Sequence, residues 1–327
     1  MIAVTIIVPM YNVAGYLKTC IASILDQNLV DDTFEVLMID DESPDNSRNI
    51  AEGLSKKYSF IKVISQENRG LGGARNTGIR NSCGKYILFL DADDKLMPHA
   101  LNKLIQLSDK YNLDILEFGA EKENEAGEVI ASITKTTQGE VYNGVQYCNN
   151  IKYMGSACNK LYALSYLKEY KLFFLEKIYG EDFEFNTRAF YYAKRVMATD
   201  IIGASFLQSS NSITRNNDQK KKDKYLSDYV KILENLSAFS KDKLDNVNDT
   251  YFLQERLSLI TINTFYFLFK NNYSYKKFKQ VRKDLVQKKI FFTNYPVSDK
   301  NRELFRQVMI KNFVLFKIFQ PIKNLLK

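Results

Sequence analysis

The sequence predicts an α/β fold built on a largely parallel sheet, and three observations lead there. Short apolar runs rich in β-branched residues recur at 4–9, 34–39, 61–65 and 85–90. Stretches with apolar residues at helical spacing lie between them. The runs Val-Thr-Ile-Ile-Val-Pro and Tyr-Ile-Leu-Phe-Leu are nearly continuous instead of alternating, which marks strands buried on both faces. Strands that alternate this closely with helices imply βαβ units with right-handed connections.

The elements follow in order. Residues 4–9 form the first strand, and 13–28 a helix carrying Val13, Leu17, Ile21, Ile24 and Leu25 on one face. The second strand, 34–39, runs into a polar turn, Asp40-Asp41-Glu42-Ser43-Pro44-Asp45. A helix at 46–58 and a third strand at 61–65 come next. The glycine-rich stretch 68–78 is expected as a loop leading into a helix that ends near Gly84. The fourth strand, 85–90, stops at Asp91. Beyond it we expect a helix at 98–111, a strand at 115–119, a hairpin or excursion over 120–150, helices at 159–170 and 183–193, and a closing strand at 195–207. From Asp218 onward the chain turns to long basic amphipathic helices with many Tyr and Phe. Two domains are therefore expected, 1–215 and 216–327.

At 327 residues there is room for one large or two modest domains. With 45% hydrophobic and 26% charged residues the composition is that of a folded chain, not a disordered one. Charge is unevenly spread. Residues 216–327 hold 23 Lys and Arg against 11 Asp and Glu, a net +12, whereas residues 1–215 have a net −4. Such a basic tail fits an anionic surface, and equally fits lysine-rich helices that are simply well solvated. Four scattered cysteines without a CxxC spacing and one histidine, His99, speak against zinc and fit a reducing cytoplasm. The N-terminal segment lacks the basic flank of a signal peptide. The longest apolar candidate, 257–269, falls short of the ~18 residues a membrane span needs.

Ligands of open α/β sheets bind beyond the carboxyl ends of the strands. Three acidic groups fall at such places: Asp40-Asp41, Asp91-Ala92-Asp93-Asp94, and Glu181-Asp182 before a helix. Any one alone could be a helix N-cap. The Asp91/Asp93 pair is the sharpest, because alternate residues of an extended segment lie on one side. Two carboxylates at a strand mouth suit Mg²⁺ or Mn²⁺, which binds one or two carboxylates plus substrate phosphates. Such an ion can neutralise a diphosphate leaving group.

Taken together, Ile7-Val8-Pro9-Met10-Tyr11-Asn12, Ile39-Asp40-Asp41-Glu42-Ser43-Pro44-Asp45, the stretch from Glu67 to Gly78, Phe89-Leu90-Asp91-Ala92-Asp93-Asp94 and Tyr179-Gly180-Glu181-Asp182 resemble the family 2 glycosyltransferases of GT-A fold. The likeness covers about residues 3–215 and is closest to bacterial enzymes of capsule, O-antigen or exopolysaccharide assembly. It implies a GT-A domain, a mixed and mostly parallel sheet flanked by helices, followed by a helical region. It further implies an inverting, metal-dependent transfer of a sugar from a nucleotide-diphosphate donor, a UDP-sugar by default, to a glycan or polyprenyl-linked acceptor.

By that resemblance Pro9, Tyr11, Asn12, Asn68 and Ala92 belong to the donor site, and Asp40 or Asp41 hydrogen-bonds the base. Asp91 contacts ribose, and Asp93 with Asp91 holds Mn²⁺ or Mg²⁺. Asp182 is the general base, with Glu181 beside it supplying like charge. Arg75 approaches base or diphosphate, or else forms a salt bridge with the Asp40–Asp45 turn. Glu42 stands where many relatives have glycine. Asp94 is expected as a residue behind the metal ligands or as a helix cap. Lys160, in Ala157-Cys158-Asn159-Lys160-Leu161-Tyr162, is expected either at a phosphate or solvated at a helix start.

Residues 302–327 interleave Phe305, Met309, Phe313, Phe316, Phe319 and Ile322 with lysines and arginines. This fits an interfacial helix held at an anionic inner leaflet, kinked near Pro321. It also fits a helix packed on the protein or on a second subunit. A Rossmann oxidoreductase is excluded by Pro9-Met10-Tyr11-Asn12 where GxGxxG should stand. A nucleotidyltransferase lacks its glycine-rich basic opening. The rival of another class is a non-catalytic scaffold derived from a transferase, against which Asp41, Asp93 and Asp182 together argue. No nucleic-acid reader motif is present.

Overall fold

The first apolar run forms β1 (Val4–Met10), all seven residues buried. It lies between β2 (Phe34–Asp40) and β4 (Tyr86–Phe89), parallel to both, and β3 (Ile61–Ser65) extends the set beyond β2. The computed structural model describes residues 2–30, 33–151, 153–209, 218–243 and 247–319. The chain divides into two units, Met1–Asn216 and Asn217–Lys327.

In the first unit the crossover helices are α1 (Leu17–Leu25), α2 (Ser47–Lys57) and α3 (Gly70–Asn81). Then come β5 (Lys95–Leu96), α4 (Ala100–Lys110), β6 (Ile115–Glu123), β7 (Val129–Ile133), α5 (Gly144–Asn150), β8 (Lys160–Ala163), α6 (Leu164–Glu169), α7 (Glu181–Tyr192) and β9 (Val196–Leu207). Among the described residues they make one sheet of order β3-β2-β1-β4-β8-β6-β9-β5, with β7 paired to β6. The sheet is mixed: β8 is antiparallel to both β4 and β6, whereas β6 and β9 are parallel to one another. The carboxyl ends of β1, β2, β4 and β6 therefore share one edge.

Three expectations need correction. Helix α1 starts at Leu17, not at 13, because the Val13 and Ala14 amides are taken by Ser47 Oγ and the Asp45 carboxylate at 3.0 and 2.9 Å. The glycine-rich stretch is no loop; it is most of α3. A Cβ on Gly72 would stand 2.3 Å from the Leu175 carbonyl oxygen, and one on Gly78 2.4 Å from Ile7 Cγ2. Close packing thus offsets the ~1 kcal/mol a helical glycine costs. Residues 160–163 are strand β8, since Lys160, Leu161 and Tyr162 are buried between β4 and β6; only 164–169 is helical. The hairpin expected within 120–150 is formed by β6 and β7, and α5 follows it, with a capping box that pairs Asn143 with Gln146.

The second unit consists of α8 (Gln219–Lys241), α9 (Val247–Lys270), α10 (Tyr275–Gln287) and α11 (Lys300–Phe305), then a wide helical turn (Arg306–Ile310) and a helix at 315–319. Phe265, Phe278 and Phe316 are fully buried in it, the last two with ring centroids 4.4 Å apart. This corrects the interfacial-face assignment: Phe305, Met309 and Phe316 belong to this core. The exposed apolar residues are instead Leu304, Val308, Val314, Ile318 and Phe319, beside exposed Lys311 and Lys317. Pro321, Ile322 and the residues after them lie outside the described residues. No helix among the described residues is long and apolar enough to cross a membrane.

Candidate active site

Arg75 is the centre of the site. It projects from the buried face of α3 with its side chain 1% exposed. Its Nη2 donates to Asp91 Oδ1 at 2.8 Å, beyond the end of β4. Its Nη1 donates to Asp182 Oδ1 at 2.7 Å and to Glu181 Oε1 at 3.1 Å, both in the first turn of α7. Cys158 Sγ lies 3.4 Å from Nη2, and the rings of Phe89 and Phe174 flank the guanidinium. Burial works against its charge, but Asp91, Asp182 and then Glu181 hold Arg75 firmly protonated. The expected salt bridge with the Asp40–Asp45 turn is not formed: the guanidinium is spent on Asp91, Asp182 and Glu181 instead. It joins the strand-end carboxylate to the helix-start carboxylates.

Asp182 is held from two sides. Its second oxygen accepts the Ala157 amide at 3.1 Å. A carboxylate has about four acceptor positions, so each oxygen retains one. The Ala157 loop is fixed by Lys160, whose buried Nζ donates to the carbonyls of Met154 and Ser156 at 2.7 Å and to Asn159 Oδ1 at 2.9 Å. Lys160 is therefore neither solvated nor aimed at a phosphate. Burial lowers its pKa, with Glu117 acting the other way. Beside Asp182, the Glu181 carboxyl is pushed up to about 7 by burial and then by the Asp182 charge. Gly180, at φ +80, turns the chain into α7.

The Asp91–Asp94 segment distributes its carboxylates. Asp91 faces Arg75, Ala92 is buried, and Asp93 is exposed at the mouth. Desolvation by the surrounding walls, and then Asp91, push the Asp93 carboxyl up to about 6. Asp94 is buried and accepts the Leu207 amide at 2.9 Å, so it anchors the end of β9 and does not cap a helix.

The other predicted donor residues form a separate cluster. Pro9 is buried within β1, so it positions its neighbours and offers no surface of its own. Tyr11 is 53% exposed, and Asn12 follows in the left-handed region at φ +57. Asp40 accepts the Ser43 amide at 3.2 Å. Asp41 accepts Gln66 Nε2 at 2.6 Å and the Arg69 amide at 2.8 Å, and its carbonyl takes Asn68 Nδ2. Glu42 adopts φ +62, which explains why glycine suits that position; its carboxylate takes the Asn68 amide at 3.1 Å. The sequence did not point to Cys158, the Ala157 amide or the Arg69–Glu176 pair at 2.8–2.9 Å. The local signals for that side of the site were Tyr179-Gly180-Glu181-Asp182 and the segment from Ala157 to Tyr162, which was read for Lys160 alone.

Among proteins of known family, the description "Glycosyl transferase family 2" matches residues 5–170. The chain belongs to the family 2 glycosyltransferases. The chain is 34% identical over 223 residues to the uncharacterized glycosyltransferase EpsJ of Bacillus subtilis (strain 168), covering 64% of this chain and 62% of that protein. It is 30% identical over 196 residues to a poly(ribitol-phosphate) beta-glucosyltransferase of Bacillus spizizenii, covering 59% of this chain and 30% of the other. The chain thus spans about three fifths of EpsJ and less of the second relative. Among solved structures, S. aureus TarS 1–349 in complex with UDP-GlcNAc superposes with a TM-score of 0.64 at 22% identity, over 79% of this chain and 72% of that fragment. The chain has the GT-A fold with a C-terminal helical region.

Among the described residues no group of three His, Cys, Asp or Glu side chains is placed to hold a metal ion by itself. A hard cation shared between one or two carboxylates and a diphosphate does not need three. Asp93, exposed at the mouth and crowded by the charge of Asp91, is a donor of the right kind.

Proposed function

We propose that this transferase moves a sugar from a nucleoside-diphosphate donor, a UDP-sugar, to a hydroxyl of a lipid-linked glycan with inversion at the anomeric carbon, in cell-surface polysaccharide assembly. The observation that carries the reading is the Arg75 bridge, which holds Asp91 and Asp182 a guanidinium's breadth apart. A donor whose diphosphate lies at Asp91 and Asp93 then has its sugar beside Asp182. Tyr11, Asn12, Asp41 and Asn68 form the base-binding end. A carboxylate that accepts from a base N–H suits uracil, and TarS was crystallised with both UDP-GlcNAc and UDP.

Asp182 accepts the proton of the acceptor hydroxyl as its oxygen attacks C1 opposite the departing diphosphate. Direct displacement of this kind inverts the anomeric centre. Arg75 keeps the Asp182 carboxylate oriented, and Glu181 shares the same guanidinium. Asp93 and Asp91 would hold Mn²⁺ or Mg²⁺, which when bound neutralises charge developing on the leaving group. The exposed apolar residues of the second unit, with Lys311 and Lys317 among them, support peripheral attachment at the cytoplasmic face of the plasma membrane.

The test is calorimetric binding of UDP, GDP, CDP and dTDP with and without Mn²⁺, on wild type and Asp93→Ala. Metal-dependent binding of UDP that Asp93→Ala removes supports the reading. Folded protein that binds no nucleotide would refute it.

A further inference from the structure

A groove of about 680 Å³ in the first unit takes no part in the site described above. It runs between α1, the turn following β5 and the carboxyl halves of β6 and β9. A smaller hollow of about 110 Å³, lined by Asp93 and Asp94, shares Thr19, Lys95, Glu123 and Ser205 with it. The groove therefore opens at its inner end on the proposed diphosphate carboxylate. It lies on the ligand-binding edge of the sheet, because β8 is antiparallel to both β4 and β6 and so β6 ends where β4 ends. Its volume is within the ~300–1,000 Å³ usual for small-molecule sites.

The lining has a definite chemistry. Lys95 is the sole basic residue on the wall, and it is neutralised: its Nζ donates to the Glu123 carboxylate at 2.8 Å, and Ser205 Oγ donates to the same carboxylate at 2.9 Å. Asp26 and half-buried Glu121 also line the groove, and among the described residues neither carboxylate has a protein partner. Such oxygens accept strongly from hydroxyl donors. Leu25, Leu96 and Met97 line the same groove and supply its apolar surface. Carboxylate acceptors beside aliphatic surface suit a ring with hydroxyls on its rim and C–H bonds on its face. The net negative charge repels phosphate and carboxylate polymers.

We propose that this groove is the acceptor subsite for the non-reacting sugars of an uncharged glycan, and that its acidic wall excludes polyol-phosphate acceptors. The assignment rests on the glycosyltransferase reading, and the test separates the two. Methyl signals of Leu25, Leu96 and Met97 are followed by NMR in the full chain during titration with cellotetraose, maltotetraose and chitotetraose. A ribitol-phosphate oligomer is the anionic comparison. At least one neutral tetrasaccharide shifts these methyls saturably, and the anionic oligomer does not. Ala22→Trp, which fills the groove from an exposed position on α1, abolishes the shifts and raises the acceptor KM about ten-fold or more. It leaves UDP binding and UDP-sugar hydrolysis at wild-type values. Glu121→Lys admits the anionic oligomer. No shift with any neutral tetrasaccharide, an Ala22→Trp protein that binds saccharide normally, or equal binding of the anionic oligomer by wild type would each overturn the proposal. Wild type that binds no UDP removes the glycosyltransferase reading itself, and the acceptor role of the groove with it.

Discussion

Replacing Arg75 by methionine keeps most of the alkyl stem and removes the cation that joins Asp91, Glu181 and Asp182. Removing one partner of a buried ion pair costs about 3–5 kcal/mol. The Asp91 and Asp182 side chains are 31% and 26% exposed and can regain water. Glu181 is already pushed up to about 7 and can protonate instead. Both reliefs place the loss at the lower end, about 3 kcal/mol. For a unit of this size 1 kcal/mol moves Tm by about 2–4 °C, so a fall of about 6–12 °C is expected by scanning calorimetry at pH 8. Activity should fall about 100-fold or more, because Asp182 loses the donor that orients it. Arg75→Lys should recover part of the stability but little activity, since an ammonium cannot hold two carboxylates on a rigid fork. An Arg75→Met protein that loses less than about 1 kcal/mol and keeps its rate within about ten-fold would refute the bridging role.

Three further outcomes are expected. Because folding raises the Glu181 pKa from 4.5 to about 7, the folded chain binds more protons in that window. Stability therefore falls as pH rises through it and levels off above it. In Glu181→Gln this component vanishes, and pH-Tm curves that stay parallel to wild type between those values would contradict it. Two helical glycines should respond in opposite directions: Gly53→Ala, with nothing within 4 Å of a new Cβ, should stabilise by about 0.4–1 kcal/mol. Gly72→Ala, facing the Leu175 carbonyl, should destabilise by about 1–3 kcal/mol in urea titrations. Finally, Leu304→Ser combined with Val314→Ser should reduce flotation with anionic vesicles while leaving melting unchanged, because both side chains are exposed. Undiminished flotation would remove that face as the attachment surface.

The parallel half of the sheet was readable because β1, β2 and β4 are buried along their full length, and strands of that kind are mostly apolar. The strand-end and helix-start carboxylates were readable for the same reason, as charges that interrupt those runs. The role of Arg75 was not: its partners lie 16, 106 and 107 positions away, and no local spacing reports them. Lys160 was misread because a fully buried lysine looks like a surface one in sequence, and its acceptors come from the loop it follows. The glycines of α3 suggested a loop, since the close neighbour that makes each worthwhile comes from distant chain. The aromatic spacing of the C-terminal segment fits a lipid-facing stripe and a protein-facing one alike, and only the packing of Phe278 on Phe316 decides between them.

The Asp94–Leu207 hydrogen bond has a consequence for building chimaeras. The residue beside the proposed metal ligand secures the last residue of β9, and the next amide, Gln208, is taken by the Glu123 carbonyl at 2.7 Å. A graft that exchanges everything after Gln208 keeps both attachments. A junction placed before Leu207 replaces the segment that Asp94 and Glu123 grip. Helical cassettes from other transferases should thus be spliced within 209–217, where the donor-side machinery is already closed on itself.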